Sequence, residues 1–266
     1  MSITKIAITG KGGVGKTFIA GTLACTYAAS GFKTIAIDAD TSPNLALTLG
    51  MSPEDAGRIL PIAENESLIK EKTKTDYPGV FKLSYTVDDI ITSQASLTPC
   101  GVRLLVMGIV RTMGSGCACP AHNLIRTLMS HLIVERDEIV ILDMEACVEH
   151  LGRGTAKNVD IMLIITDAHQ ASLVTAGRIA DLAGPAGIPR IAYVANRVTG
   201  PEVADRIGTA AREHGVPVIA SIPYDQEVVT SGMMGVSPAQ SGTFAAVAAV
   251  QNLAKTLTSM YPDIDN

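Results

Sequence analysis

The sequence is short of aromatic side chains: its 266 residues include no tryptophan, four phenylalanines and six tyrosines. Aliphatic side chains and methionine must therefore fill the core, as in buried parallel sheets flanked by helices. Long apolar runs are also missing, because none approaches the roughly 18 residues that a membrane-spanning helix requires. The sequence therefore predicts an aliphatic α/β protein that does not cross a membrane.

Positive charge is in slight deficit, with 21 lysines and arginines against 26 aspartates and glutamates, a net charge of -5. This balance disfavours general electrostatic binding to nucleic acid or to an anionic membrane surface. Apolar residues make up 47% of the chain, which is enough to build a large core and excludes an intrinsically disordered protein.

Cysteine is sparse and odd in number, with five residues, and the strand-like start of the chain carries no secretory pattern. These features predict a reducing, cytoplasmic location, where cysteines are more often metal ligands or catalytic groups than disulfide partners. Cys25 and Cys100 show no ligand spacing, and we interpret them as structural residues of the core.

Short β-branched or leucine-rich runs recur along the chain, and most are separated by enough residues for a helix. This alternation predicts an α/β fold with a mostly parallel central sheet of about seven to eight strands flanked by helices. We expect one domain over residues 1–266, with an elaborated crossover at about 41–102 that contains short helices and an edge hairpin around 81–91. The predicted strands are Lys5–Thr9, Thr34–Asp38, Arg103–Met107, Glu138–Asp143, Asp160–Thr166, Arg190–Ala195 and Pro217–Ser221.

The segment Gly10–Thr17, GKGGVGKT, matches the phosphate-binding pattern G-x-x-x-x-G-K-[ST] between a predicted strand and a predicted helix. Its glycines allow backbone N–H groups and the start of the helix to face phosphates. Lys16 is expected to reach the β- and γ-phosphates, and the Thr17 hydroxyl to bind Mg²⁺. The candidate nucleotide-binding residues of this segment are Gly10, Lys11, Gly12, Gly13, Val14, Gly15, Lys16, Thr17 and Phe18.

The additional lysine, Lys11, makes this segment similar to the deviant Walker A motif of the dimeric ATPases that include the nitrogenase iron protein and the Min- and Par-type proteins. The resemblance implies the SIMIBI class of P-loop NTPases and a homodimer that closes on ATP. It also implies that Lys11 reaches across the dimer to the partner's phosphates.

Three aspartates stand at or just after the ends of predicted strands, where doubly wound sheets bind ligands. Asp143 ends an apolar strand and is expected to hold Mg²⁺ through water. Asp38 and Asp40 are two positions apart and start on the same face if the strand continues. By resemblance, Asp40 orients or activates the attacking water, and Asp38 lies on the metal side of the site.

Residues after the last two strands are candidates for the base pocket. The Asn196 amide has the donor and acceptor needed to pair with adenine, and Arg197 follows it directly. The resemblance to the deviant Walker A ATPases implies that Pro223 and its neighbours form the other side of the base pocket. Because no N-K-x-D guanine signature follows Asn196, the sequence favours ATP over GTP.

Cys117 and Cys119 form a Cys-x-Cys pair just before an apolar-periodic segment. A helix N-terminus lowers the pKa of a thiol and favours metal binding. Two thiolates from one chain leave coordination positions of a soft metal unfilled. Two chains together supply four thiolates, which complete the ligation of Zn²⁺ or Ni²⁺. His122 is an alternative third ligand, and two unrelated free cysteines are the simplest alternative.

Together with the phosphate loop and this pair, the stretch Asp143–Lys157 resembles the CooC-type maturation ATPases. The resemblance implies an ATP-dependent metallochaperone that assists nickel insertion into carbon monoxide dehydrogenase or acetyl-CoA synthase. It also implies that Cys117 and Cys119 bind metal at the dimer interface. Cys147 stands where the family pattern has glycine, either as a small substitute or as an additional thiol near the nucleotide.

Two other functions remain open at the level of sequence. An iron–sulfur electron donor similar to the nitrogenase iron protein would need another cysteine per chain, for which Cys147 is the candidate. A MinD- or ParA-like positioning ATPase would need a basic amphipathic tail or a basic patch, and the acidic C-terminus offers neither.

Overall fold

A computed structural model describes residues 5–73, 87–108, 138–146, 159–240 and 244–260 of the chain. Eight strands in these ranges form one sheet in the order β3-β4-β2-β5-β1-β6-β7-β8. The strands are β1 (Lys5–Thr9), β2 (Thr34–Ala39), β3 (Ser96–Leu97), β4 (Arg103–Val106), β5 (Ile139–Met144), β6 (Ile161–Thr166), β7 (Ile191–Val198) and β8 (Val218–Pro223). All neighbours pair in parallel except β3, which runs antiparallel to β4. The predicted fold class is therefore confirmed.

Nine α-helices lie in the described residues. They are α1 (Lys16–Ala29), α2 (Leu45–Thr48), α3 (Pro53–Gly57), α4 (Glu66–Thr73), α5 (Val87–Gln94), α6 (Gln170–Ala186), α7 (Pro201–Glu213), α8 (Gln226–Met233) and α9 (Ala245–Ser259). No helix of the described ranges combines the length and hydropathy needed to cross a membrane.

The sheet is buried on both faces because successive side chains of a strand point to opposite sides. In β1, Ile6 and Ile8 join a core cluster with α1 and α9, whereas Ala7 belongs to the opposite cluster, which includes α6. Every residue of β1, β5 and β6 is buried. Continuous apolar runs of this kind are characteristic of central parallel strands.

The crossover after β2 contains short helices, as predicted. The expected edge hairpin is wrong over residues 87–91, because these residues begin α5 and bury Ile90 and Ile91 in the core; residues 81–86 lie outside the described part. The antiparallel edge strand is instead β3. The sequence does not predict it, because a two-residue strand that leaves Leu97 73% exposed has no hydrophobic pattern.

Candidate functional site

The candidate site lies at the carboxyl ends of three neighbouring strands. The sheet order places β5 between β1 and β2, so the loop that follows β1 lies beside the acidic ends of the other two strands. In the β2–β5 register, Asp38 stands opposite Asp143. Parallel pairing thus brings together the phosphate loop and the carboxylates that the sequence places more than 100 residues apart.

The phosphate loop needs glycine for two different reasons. Gly13 and Gly15 have φ angles of 84° and 96°, in the left-handed region that residues with a Cβ rarely adopt. At Gly10 a Cβ would collide with the main-chain carbonyl of Ile165. The loop is therefore fixed by its backbone before α1 begins at Lys16.

Asn196 holds this loop from the neighbouring side of the sheet. Its Nδ2 donates a 2.7 Å hydrogen bond to the Val14 carbonyl, and a Cβ on Gly15 would collide with the same nitrogen. Asn196 is 4% exposed, so this bond is shielded from water. This bond uses one of the two amide hydrogens of Asn196, and the adenine contact stays a prediction.

The two loop lysines have different surroundings. Lys16 is buried, and its Nζ lies 3.9 Å from Asp40 Oδ2. Lys11 is exposed, and its side chain has no hydrogen bond or ion pair with another described residue. Phe18 is half-buried and packs against the core cluster on the α1 side of the sheet. Lys16 is thus positioned within the site, whereas the Lys11 side chain faces solvent.

Asp143 is completely buried, and both carboxylate oxygens lack a hydrogen-bond partner among the described residues. Burial is the main reason why its pKa is raised from 3.8 to about 7, and the charge of Asp38 adds to the rise. Lys16 and the nearby Thr17 hydroxyl oppose it, although Thr17 does not make a hydrogen bond of normal geometry. A buried carboxyl group without partners is expected where a cation binds.

Asp38 occupies the facing position, and both of its carboxylate oxygens accept backbone hydrogen bonds. Its Oδ2 accepts from the Leu45 backbone N–H at 2.9 Å, and its Oδ1 accepts from the Asp40 N–H at 3.2 Å. Burial raises the pKa of Asp38, and these bonds oppose the rise. Asp40 is half-buried, and its Oδ1 accepts from the Ser42 N–H at 2.9 Å. Asp38 thus holds the segment that carries Asp40.

Mg²⁺ fits this group of residues. Hard cations take oxygen ligands, and the unpaired Asp143 oxygens lie beside the Thr17 hydroxyl at the start of α1. Each Asp38 oxygen already accepts a backbone N–H, whereas both Asp143 oxygens are unpaired among the described residues. Thr17 and Asp143 are therefore the better supported of the three predicted magnesium residues.

The predicted base-pocket residues lie at the ends of β7 and β8. Arg197 has a φ of 56°, and its Nη1 lies 3.9 Å from Asp167 Oδ2. Burial alone would raise the pKa of Asp167, but hydrogen bonds from Ser172 and His169 hold it below its usual value. Pro223 ends β8 and is half-buried. No contact among the described residues identifies a base, so these assignments remain predictions.

Two hydrogen bonds at this edge have no counterpart in the sequence-based predictions. The Asn196 bond joins residues 182 positions apart. Glu145, two residues after Asp143, contacts Thr41 across the site. Its position two residues after Asp143 is the available signal, since Glu145 directly follows the strand that contains Asp143.

The Cys-x-Cys pair, His122 and Cys147 lie outside the described residues. Within the described ranges no group of three or more histidine, cysteine or acidic side chains is arranged to hold a metal ion. Cys25 and Cys100 form a disulfide with a Cα–Cα distance of 5.5 Å. They pack in the core, as predicted for structural residues. The sequence analysis does not predict their pairing, which arises because the fold brings together α1 and the turn before β4.

Comparison with known proteins agrees with this geometry. The family model of the CobQ/CobB/MinD/ParA nucleotide binding domain matches residues 5–238. An ATP-binding protein of Methanocaldococcus jannaschii is 43% identical over 234 residues, which cover 87% of this chain and 89% of that protein. The carbon monoxide dehydrogenase accessory protein CooC of Rhodospirillum rubrum is 40% identical over 235 residues, 88% of each chain.

Solved structures share the fold at low sequence identity. MinD of Aquifex aeolicus, in its complex with MinC, has a TM-score of 0.67 at 19% identity and covers 96% of this chain and 95% of its own. MinD of Pyrococcus horikoshii, complexed with Mg-ADP, has a TM-score of 0.61 at 20% identity and covers 96% of each chain. The chain is a P-loop ATPase of the CobQ/CobB/MinD/ParA nucleotide-binding family and, within it, belongs to the CooC-type ATPases.

Proposed function

We propose that the protein is an accessory ATPase for carbon monoxide dehydrogenase or acetyl-CoA synthase that closes as a homodimer on ATP and assists nickel insertion. The observation that carries this proposal is the 40% identity with the carbon monoxide dehydrogenase accessory protein CooC over 88% of each chain. Similarity to MinD proteins is lower, at 23–25% identity, and supports a positioning role less well. A cytoplasmic location is part of the proposal.

The described site supports the nucleotide chemistry that this role needs. Thr17 and Asp143 would hold Mg²⁺, and the bound ion would neutralise charge on the phosphate oxygens. Lys16 would contact the transferred phosphoryl group, and Asp40 would orient the attacking water. Lys16 lies 3.9 Å from Asp40, so a bound phosphate would compete with this carboxylate as the partner of Lys16.

Dimer closure would depend on Lys11. Its side chain is exposed at the phosphate loop and can therefore extend to the phosphates of a second copy. A ligand that binds the closed state better shifts the population only by that difference in affinity. ATP is thus expected to favour the dimer more strongly than ADP.

The proposed metal site would join Cys117 and Cys119 of both chains, with Ni²⁺ or Zn²⁺ bound by four thiolates. We would titrate Ni²⁺ and Zn²⁺ into the wild type and into Cys117→Ala/Cys119→Ala, with and without ATP, and measure metal content and dimer mass. Cys25→Ala/Cys100→Ala is the matched control, since it removes two cysteines from the core. Unchanged metal binding in Cys117→Ala/Cys119→Ala would refute the metal site.

The same preparations test the iron–sulfur alternative. Anaerobically purified protein with visible absorbance, lost in Cys147→Ala, would favour an electron donor over the metallochaperone. Colourless protein that binds Ni²⁺ or Zn²⁺ through the cysteine pair would favour the proposed function.

A further inference from the structure

Glu145 is attached by its backbone to the strand that leads into the phosphate loop. The Thr9 hydroxyl donates a 2.7 Å hydrogen bond to the Glu145 carbonyl. Thr9 is completely buried and is the last residue before Gly10. The position of Glu145 is therefore tied to the phosphate loop as well as to the strand that ends near Asp143.

The Glu145 side chain reaches the segment after β2. Its Oε1 accepts from the Thr41 backbone N–H at 3.2 Å and also from the Thr41 hydroxyl. Hydrogen bonds to a carboxylate are about twice as strong as neutral ones. Glu145 is half-buried, whereas Thr41 is exposed, so this link holds a surface segment to the frame of the sheet.

Two anchors thus fix the short segment that carries Asp40. Asp38 holds its far end through the Leu45 N–H, and Glu145 holds it at Thr41, directly after Asp40. Between the anchors, Asp40 accepts from Ser42 and faces Lys16. Apart from the bonds to Glu145, the described hydrogen bonds that residues 41–45 donate reach only one another, Asp38 or Asp40. Glu145 therefore links this segment to another strand of the sheet.

We propose that Glu145 is a positioning residue for ATP hydrolysis, acting through Thr41 to hold Asp40 at the phosphate site. This inference rests on the proposed role of Asp40 in orienting the attacking water. Glu145 does not need to touch the nucleotide. A misplaced Asp40 slows the chemical step, because small errors in the geometry of reacting groups are costly, while ATP binding through the phosphate loop is retained.

The test measures kcat, KM and the dissociation constant of ATP for Glu145→Ala, Thr41→Val, their double variant and Thr41→Ser. We expect Glu145→Ala and Thr41→Val each to lower kcat by about 10-fold, the effect of losing a charge-assisted hydrogen bond. The ATP dissociation constant should change by less than about 3-fold, and the double variant should lose no more than either single variant. Thr41→Ser, which keeps the hydroxyl, should restore most of kcat.

Glu202→Ala, in the first turn of α7, is the matched control and should keep the wild-type kcat. Unchanged kcat in Glu145→Ala, or losses that multiply in the double variant, would overturn the proposal. Weaker ATP binding with unchanged kcat would also overturn it, since it would give Glu145 a structural role in the loop alone. Asp40→Asn tests the assumed role of Asp40 separately from the role of Glu145. A wild-type kcat in Asp40→Asn would refute the role of Asp40 and therefore this mechanism. ATP binding can still be measured in that variant.

Discussion

Asp143→Asn should stabilise the nucleotide-free protein at pH 8, although it removes a residue of the predicted magnesium site. The folded-state pKa of Asp143 is raised from 3.8 to about 7, chiefly by burial. A raised carboxyl pKa means that the folded state binds the proton more tightly than the unfolded state. Stability is therefore lost as pH rises from about 4 to about 7 and stays constant above that range.

The size of this effect follows from the two pKa values. Ionising Asp143 costs about 1.5 kcal/mol at pH 5 and about 4 kcal/mol at pH 8, so the wild type should lose about 2.5 kcal/mol between them. The asparagine of Asp143→Asn cannot ionise, but its buried amide lacks partners, which costs about 1–3 kcal/mol. The substitution should therefore be nearly neutral or unfavourable at pH 5 and favourable by about 1–3 kcal/mol at pH 8.

Urea unfolding of both proteins between pH 5 and pH 8.5, without nucleotide or Mg²⁺, measures this difference. Asp38→Asn is the matched control at the facing position of the sheet. It should destabilise, because the Asp38 oxygens accept two backbone N–H groups. A pH-independent difference between wild type and Asp143→Asn, or a less stable Asp143→Asn at pH 8, would refute the reasoning.

Three further perturbations test the frame of the site. Asn196→Ala leaves the buried Val14 carbonyl of the phosphate loop unpaired. The free energy of unfolding should fall by about 1–3 kcal/mol, and titration with a fluorescent ATP analogue should show weaker binding. Gly10→Ala should abolish that binding or the fold, because its Cβ meets a main-chain oxygen, whereas Gly12→Ala, with open space around its Cβ, should keep a similar melting temperature. Reducing the Cys25–Cys100 disulfide, which spans 75 residues, should lower the free energy of unfolding by about 2–4 kcal/mol. Equal urea midpoints with and without reductant would contradict this prediction. Five free thiols in the unreduced, denatured protein would also contradict it.

The strands and the phosphate loop can be predicted because their signals are local. A buried parallel strand is a continuous apolar run, and the phosphate loop is a contiguous pattern followed by a helix. The start of α5 escapes prediction because Ile90 and Ile91 are adjacent apolar residues, which strands and helices share. The disulfide cannot be inferred from the sequence, because the proximity of Cys25 and Cys100 depends on how α1 and the turn before β4 pack in one core cluster.

The same limit explains why the sequence does not reveal the partners of the predicted acids. Asp38 and Asp143 both end apolar strands, and the sequence offers no reason to distinguish their roles beyond position. The fold distinguishes them by the donors that it brings near each carboxylate. A backbone that turns back over Asp38 supplies two N–H groups, whereas no such donor reaches Asp143 among the described residues.

This difference indicates that two facing carboxylates at one sheet edge have different roles, one in holding the backbone and the other in binding a cation. Asp38, whose two oxygens each accept a backbone N–H, stabilises the segment that carries Asp40, and a cation there would compete with these donors. A buried carboxylate without partners is unfavourable until a cation arrives, so the energy that destabilises the empty site is recovered when Mg²⁺ binds. Nucleotide binding with Mg²⁺ should therefore depend more strongly on Asp143 than on Asp38, although the two residues face each other in adjacent strands.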